Sequence, residues 1–276
     1  MKFISKKFTL FIFLLIAQIA SCQNAKLKLV WSDEFNYRGL PKSEKWNYEH
    51  GFVRNKEAQY YTKTRKENAF VHHGYLEIKA IKEQIPNEFY QKESSNWKKS
   101  DSLTNFTSAS ITTRDIASWQ YGRVEVRAKL PKGLGVWPAI WMLGTDKKVG
   151  WPKCGEIDIM EYVGFMPDKI HATTHYAKNE KGEHTQSGGT ITIPTKDDNF
   201  HIYAVEWTKE TISFYYDDQN YYQFEIKEAE INGKQPFNKP FYLILNLALG
   251  GSWGGKIDEN NLPQSFLIDY VRVYQN

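Results

Sequence analysis

The sequence predicts an all-β fold, a sandwich or a barrel in one large domain, and three observations carry that expectation. Aromatic residues are abundant: Trp 9, Tyr 17 and Phe 16 make 15% of the 276 residues, and rings suit the half-buried surface of a pleated sheet. Apolar residues recur with period two in several short segments, whereas no long segment repeats at the helical period. Gly and Pro punctuate those segments, at Pro131-Lys132-Gly133, Gly188-Gly189 and Gly250-Gly251. Many short strands with no helices between them give a sandwich or a barrel, and periodicity does not choose between the two.

Along the chain, Arg123 to Leu130 alternates polar and apolar residues, as a strand with one wet face does. His201 to Trp207, Thr211 to Tyr216, Phe241 to Leu249 and Phe266 to Tyr274 are further strand candidates, rich in rings and branched side chains. Lys82 to Asn105 is polar, carries Pro86 and several Ser and Lys, and reads as an exposed loop between strands.

The N-terminus reads as an export signal. Lys2, Lys6 and Lys7 precede the apolar run Phe8 to Ala20, which is too short to span a bilayer. The run ends in Ile19-Ala20-Ser21-Cys22, which resembles a bacterial lipobox. The expected organisation is a lipoprotein signal over 1–21, lipid on Cys22, a tether over 22–30 and a single domain over 31–276. Localisation follows as the cell envelope, with the membrane reached through the lipid. Which face it decorates is open, although the lack of an acidic run after Cys22 leans to the periplasmic side. Cys154 is the other cysteine of the two, so no intrachain disulfide is expected in a lipidated chain, and Cys154 reads as a small buried residue. Net charge is +4 without a Lys/Arg stripe, which argues against a nucleic-acid partner. A monomer is expected.

The chemically loaded segment is Gly155-Glu156-Ile157-Asp158-Ile159-Met160-Glu161-Tyr162. Three carboxylates interleaved with Ile and Met repel one another, so the pKa of at least one is raised. A protonated carboxyl beside an ionised one is what glycoside hydrolysis needs. In a regular strand Glu156 and Asp158 share a face and Glu161 points away. Convergence of all three requires one extra residue, a β-bulge around Ile159-Met160. The bland alternative is an acidic edge strand that blocks aggregation.

Glu156-Ile157-Asp158-Ile159-Met160-Glu161 resembles the signature of glycoside hydrolase family 16 in its bulged version. Flanking segments are similar to its laminarinase-like (endo-β-1,3-glucanase) branch: Trp31-Ser32-Asp33-Glu34-Phe35, Asn55-Lys56-Glu57-Ala58-Gln59-Tyr60-Tyr61, and Gly135 to Met142. Asn246 to Gly251 and Ile268 to Tyr274 continue the match in family order. The resemblance implies a β-jelly-roll of two curved antiparallel sheets with a cleft on the concave face. It implies Glu156 as nucleophile, Glu161 as general acid/base, and Asp158 holding the nucleophile's protonation and orientation. The implied reaction is endo-hydrolysis of a β-1,3-glucan through a covalent glycosyl-enzyme, with retention. No cofactor is needed for that chemistry.

Further roles follow from the same resemblance. Trp137, spaced i, i+4 from Trp141, is expected to line the cleft and stack on sugar, and Trp141 shares that face or packs in the core. Trp253, in a glycine-rich loop, is expected as an exposed subsite wall. His175 is implied as a hydrogen-bonding residue beside the acid/base, and Asn55 and Asn246 match sugar-binding positions. His171 and His175 have the spacing of a helical zinc pair but sit in strand-like sequence, which argues against zinc. One structural calcium is implied on the convex face, at Glu34, Asp269 and a backbone carbonyl near Gly74, since hard oxygen ligands suit that ion. Ser110 departs from the branch, which carries Arg there in many members.

Three alternatives stand beside the leading one. The substrate could be a mixed-linkage β-1,3-1,4-glucan, although specialists for it usually carry the unbulged strand. It could be a red-algal galactan such as agar or carrageenan, but no additional Lys/Arg stands near the motifs for a sulfated chain. The third alternative is a non-catalytic polysaccharide-binding lipoprotein.

Overall fold

The computed structural model describes residues 27–195 and 197–276. The expected signal over 1–21 and Cys22 lie outside them. The strands are β1 (Lys28–Asp33), β2 (Asn47–Tyr48), β3 (Gln59–Tyr61), β4 (Ala69–His72), β5 (Tyr75–Lys82), β6 (Phe106–Ser108), β7 (Ser110–Thr112), β8 (Gly122–Lys129) and β9 (Val136–Gly144). They continue as β10 (Glu156–Glu161), β11 (Lys169–Ala177), β12 (His184–Thr192), β13 (His201–Trp207), β14 (Thr211–Tyr216), β15 (Gln219–Glu225), β16 (Phe241–Leu249) and β17 (Gln264–Gln275). The helical elements among the described residues are three single turns of 3-10 type.

Two sheets pack face to face. One runs β15-β14-β13-β8-β17-β5-β6-β3, with β1 added to β17 and β4 to β5; the other runs β12-β11-β10-β9-β16-β7-β2. All pairings are antiparallel except β3 with β6. The expected strands appear with ends shifted by no more than two residues, and Glu83–Asn105 is the connection between β5 and β6.

One boundary is corrected. The expected tether over 22–30 ends sooner, because Lys28–Val30 already belong to β1, where Lys28 and Leu29 pair with Gln275 and Tyr274. Those side chains are exposed and carry no core pattern. The ladder to the C-terminal strand holds them, and hydropathy gives no sign of it.

The central strands of the second sheet are buried on both faces, and this positions the site. In β16, Leu243, Leu245, Leu247 and Leu249 enter the main core, while Tyr242 and Ile244 form a separate cluster with Ala139 and Trp141 on the opposite face. β9 sends Ile140 and Met142 to the main core, and β10 sends Ile157, Ile159 and Met160 there. Each such side chain contributes about 1.5–3 kcal/mol by burial. The central strands are therefore pinned in register, since a one-residue slip would drive every carboxylate of β10 into the core.

Candidate active site

The register around β10 places the three carboxylates on one face. Glu156 lies opposite Leu143 of β9, Asp158 opposite Trp141, and Glu161 opposite Ala139. These partners are spaced by two, so all three acids point the same way. The ladder shifts by one residue between Asp158 and Met160 on the β9 side, and between Asp158 and Glu161 on the β11 side. The expected bulge is present. The core supplies its reason, because Ile159 and Met160 are both completely buried, and placing two successive apolar residues inside requires the extra residue. Gly155, just before Glu156, has φ +76°, and a Cβ there would sit 2.9 Å from the Phe241 ring, so the turn into β10 favours glycine.

Each acid has its own partner. Glu156 Oε2 accepts the Trp151 indole N–H at 2.7 Å. Asp158 is 2% exposed, and its Oδ2 lies 2.9 Å from His175 Nε2. Glu161 Oε1 accepts the Trp137 indole N–H at 3.0 Å. Burial raises all three carboxyls. Glu156 is pushed up to about 8, with the Asp158 charge adding to the effect, and Glu161 to about 7. Asp158 is raised well above the usual carboxylate range, by burial and then by the Glu161 charge. Three acids this close share their protons, and the ionisation steps belong to the cluster.

The surrounding residues line one groove with the acids: Arg54, Asn55, Glu57, Trp137, Ala139, Trp141 and Asn246. Asn246 bridges two buried rings, accepting Trp141 N–H at 2.7 Å and donating to the Tyr61 hydroxyl at 3.0 Å. Asn55, at φ +54°, donates to Glu57, which also accepts from Gln59. A cavity of about 530 Å³ lies away from the acids among Cys154, Ala177, Ile231 and Pro236. Cys154 is buried there, and its thiol is pushed up to about 11 by burial.

Several expectations are refined by this geometry. Trp137 and Trp141 do face the groove, but they are 8% and 7% exposed and spend their N–H groups on Glu161 and Asn246. The Trp141 ring also lies under the Arg54 guanidinium, 4.8 Å away. Trp253 is not a free wall: it packs edge-on against Trp137 and His171, at 5.6 and 5.0 Å. His175 stands opposite Glu156 in the ladder, and the residue opposite Glu161 is His171. The expected neighbour of the acid/base is thus a neighbour of the other acid and of Asp158.

The calcium positions do not fit an ion as they stand. Glu34 accepts two hydrogen bonds from Arg272, at 3.0 and 2.7 Å, and Asp269 pairs with Arg127. Gly74 forms the β4–β5 turn at φ +80°. Both carboxylates are already compensated by guanidinium groups, and a cation would have to displace them. Among the described residues, the potential metal-holding group is Glu156, Asp158 and His175, with ligand atoms within 4.8 Å of one another. Of these, Glu156 already accepts the Trp151 N–H, and Asp158 Oδ2 lies 2.9 Å from His175 Nε2.

Two groove residues escape a reading of motifs. Trp151 is 52% exposed in the β9–β10 connection, and a ring standing alone five residues before the carboxylate segment was the available signal. Arg54 supplies a cation beside the motifs, immediately before the Asn55 to Tyr61 segment that carries the resemblance. Ser110, in place of the branch's Arg, donates to Glu49 at 2.6 Å, and Glu49 also pairs with Arg54.

Comparison with known proteins agrees with this architecture. A beta-glucanase of Rhodothermus marinus is 46% identical over 260 residues, covering 90% of this chain and 85% of that protein. The X-ray structure of the laminarinase from Rhodothermus marinus superposes with a TM-score of 0.78 at 45% identity, over 90% of this chain and 97% of that one. A structure from work on endo-acting O-glycanases, which prominent members of the human gut microbiota express to initiate mucin breakdown, superposes with a TM-score of 0.85. It is 39% identical and covers 91% of this chain and 92% of that one. Residues 56–272 match the model of the glycosyl hydrolases family 16, and the chain belongs to that family.

Proposed function

We propose that the protein is a retaining endo-hydrolase of β-1,3-glucan, of the laminarin type, with Glu156 as nucleophile and Glu161 as general acid/base. The observation that carries this reading is the bulged β10, which presents Glu156, Asp158 and Glu161 to one open groove. Glu161 donates its proton to the leaving oxygen while Glu156 attacks the anomeric carbon. Glu161 then takes a proton from the water that releases the sugar. The His175 imidazole stands across from Glu156, with Nε2 2.9 Å from Asp158 Oδ2. Burial raises Glu156 at least as far as Glu161, so the roles are assigned from the resemblance and the proton is shared within the cluster. Asp158 holds the nucleophile's orientation and shares its proton. Catalysis in this family needs no cofactor, and no step here uses a metal. Asn55 and Asn246 offer amides to sugar hydroxyls, and Trp137, Trp141 and Trp253 shape the groove.

The N-terminal reading extends this proposal: lipid on Cys22 would hold the enzyme at the cell envelope, where a polysaccharide is met outside the cytoplasm.

A galactose-based glycan is the second reading. It is favoured by Arg54 in the groove and by the resemblance to the mucin-active O-glycanase structure. The test is the release of reducing ends from laminarin, mixed-linkage glucan, agar, carrageenan and mucin glycans, with Glu156→Gln as control and NMR following the product anomer. Laminarin should be cut with retention, and Glu156→Gln should lose at least about a thousandfold in rate. Equal release by both proteins, or an inverted product, refutes the assignment.

A further inference from the structure

The groove has a direction. Its lining comes from the acids of β10, from Trp137 and Trp141 of β9, from Asn246 of β16, and from Arg54 and Asn55 of the β2–β3 connection. Those strands succeed one another in the sheet order β10-β9-β16-β7-β2. A chain bound in the groove therefore crosses the strands and leaves the acids toward β2. Phe52 stands two residues from Arg54, at most about 7 Å of chain.

At that edge five rings follow one another. Phe89 meets His50, His50 meets Tyr60, Tyr60 meets Phe52 and Phe52 meets Trp97, with ring centres 5.1, 5.4, 5.4 and 5.9 Å apart. Tyr60 in the middle is buried, Phe89 is 44% exposed, and Phe52 and Trp97 are half-buried. Phe89 and Trp97 belong to the Glu83–Asn105 connection, whose polar composition suggests a loose loop. One side chain ties it down instead. Asn87 is buried; its amide donates to the carbonyls of Lys98 and Asp101 at 3.1 and 2.9 Å, and its oxygen accepts the Phe89 N–H at 3.0 Å. The Gln91 N–H bonds to the Lys99 carbonyl at 2.9 Å. Gly51 completes the fit, because a Cβ there would stand 2.9 Å from the Phe89 ring. The rings are thus held in place by the fold itself, which lowers the ordering cost of binding.

Apolar rings left exposed on a fixed loop mark a contact surface, and the C–H face of a sugar suits them. Lys92, Lys98 and Lys99 of the same loop would suit an anionic membrane, but continuity with the groove favours a glycan. We propose that Phe89, Phe52 and Trp97 form a distal platform that carries a β-glucan chain beyond the catalytic groove, so that long polymers are held better than short oligosaccharides. The proposal rests on the reading of the groove as the seat of a β-glucan.

The test uses the full-length protein carrying Glu156→Gln, which binds without cutting, and two probes, laminarin and laminaritriose. Adding Trp97→Ala should weaken laminarin binding about five- to twentyfold and laminaritriose binding less than about twofold, because the polymer alone reaches the platform. Phe89→Ala removes a second ring and should act in the same sense. Trp97→Phe should bring laminarin affinity back to within about threefold of the parent. In the active enzyme, Trp97→Ala should raise KM for laminarin by a similar factor, with kcat within about twofold. Unchanged laminarin affinity in both alanine variants overturns the proposal. So does an equal loss for both probes, which would mean that the groove itself is distorted. Binding to anionic vesicles that falls in Trp97→Ala while laminarin affinity holds also overturns it, and gives the loop to the membrane. A parent that binds neither glucan sinks the glucan reading and the platform together, whereas laminarin binding indifferent to both rings sinks the platform alone.

Discussion

The indole N–H of Trp137 donates to Glu161 at 3.0 Å, from a ring that is almost wholly buried. A hydrogen bond to a carboxylate favours its ionised form, so Trp137 opposes the burial that raises Glu161. Trp137→Phe keeps most of the packing and removes the donor. Glu161 should then hold its proton about one unit higher, since a bond to a charged group contributes about 1.5–3 kcal/mol. A general acid works in its protonated form, so the alkaline limb of kcat/KM should move up while the acid limb stays. A pH–rate profile decides it, and an unmoved alkaline limb would mean that Glu161 is not the acid.

The same burial makes the active site costly to the fold. The folded-state pKa of Glu156 lies above its ordinary value, so the folded protein binds more protons than the unfolded chain between about pH 4.5 and 8. Stability therefore falls as pH rises through that window. Glutamine carries no charge at any of these pH values. Glu156→Gln should leave stability near wild type at pH 4.5 and raise it by about 1–3 kcal/mol at pH 8, where the groove's solvent reduces the full burial cost. For a chain this size the gain is roughly 2–10 °C in Tm. Thermal melts at the two pH values test the sign, and a gain that is the same at both would dissociate the effect from ionisation.

Asn246 holds the floor of the groove together by serving two buried partners at once, Trp141 and Tyr61. Asn246→Ala leaves the buried Trp141 N–H without its acceptor, at about 1–3 kcal/mol, and takes from the Tyr61 hydroxyl, which still donates to Glu57, one further bond of about 1 kcal/mol. Chemical denaturation should show a loss of about 2–4 kcal/mol. A loss below about 1 kcal/mol would mean that water enters and replaces the amide.

The site was legible where its chemistry sits in one continuous segment, and hidden where it depends on how separate segments meet. The carboxylate spacing and the apolar residues between the acids were enough to require a bulge, because only one register satisfies both core and groove. The aromatic strands were legible from period two. Trp151, Arg54 and His184 were not. Their contacts join distant parts of the chain: Trp151 of the β9–β10 connection reaches Glu156, Arg54 of the β2–β3 connection lies over Trp141, and His184 of β12 meets His175, and local sequence does not encode such encounters. Trp137 and Trp141 show the converse: their face was readable from i, i+4 spacing, but their commitment to Glu161 and Asn246 depends on neighbouring strands.

The convex face gives the last prediction. A calcium at 100 times its dissociation constant would add about 2.7 kcal/mol of stability, or roughly 5–10 °C in Tm. Here Glu34 is bound by both arms of the Arg272 fork, which holds its carboxyl below the usual range, and Asp269 faces Arg127. An ion would have to break two charge pairs to gain two oxygen ligands, and Arg272 also lies over the Tyr270 ring at 3.8 Å, which helps to keep it in place. Millimolar calcium and excess EDTA should therefore give coincident melting curves. A rise of several degrees with calcium, lost on chelation, would show that the arginines yield and that Glu34 and Asp269 close around the ion with the carbonyl near Gly74.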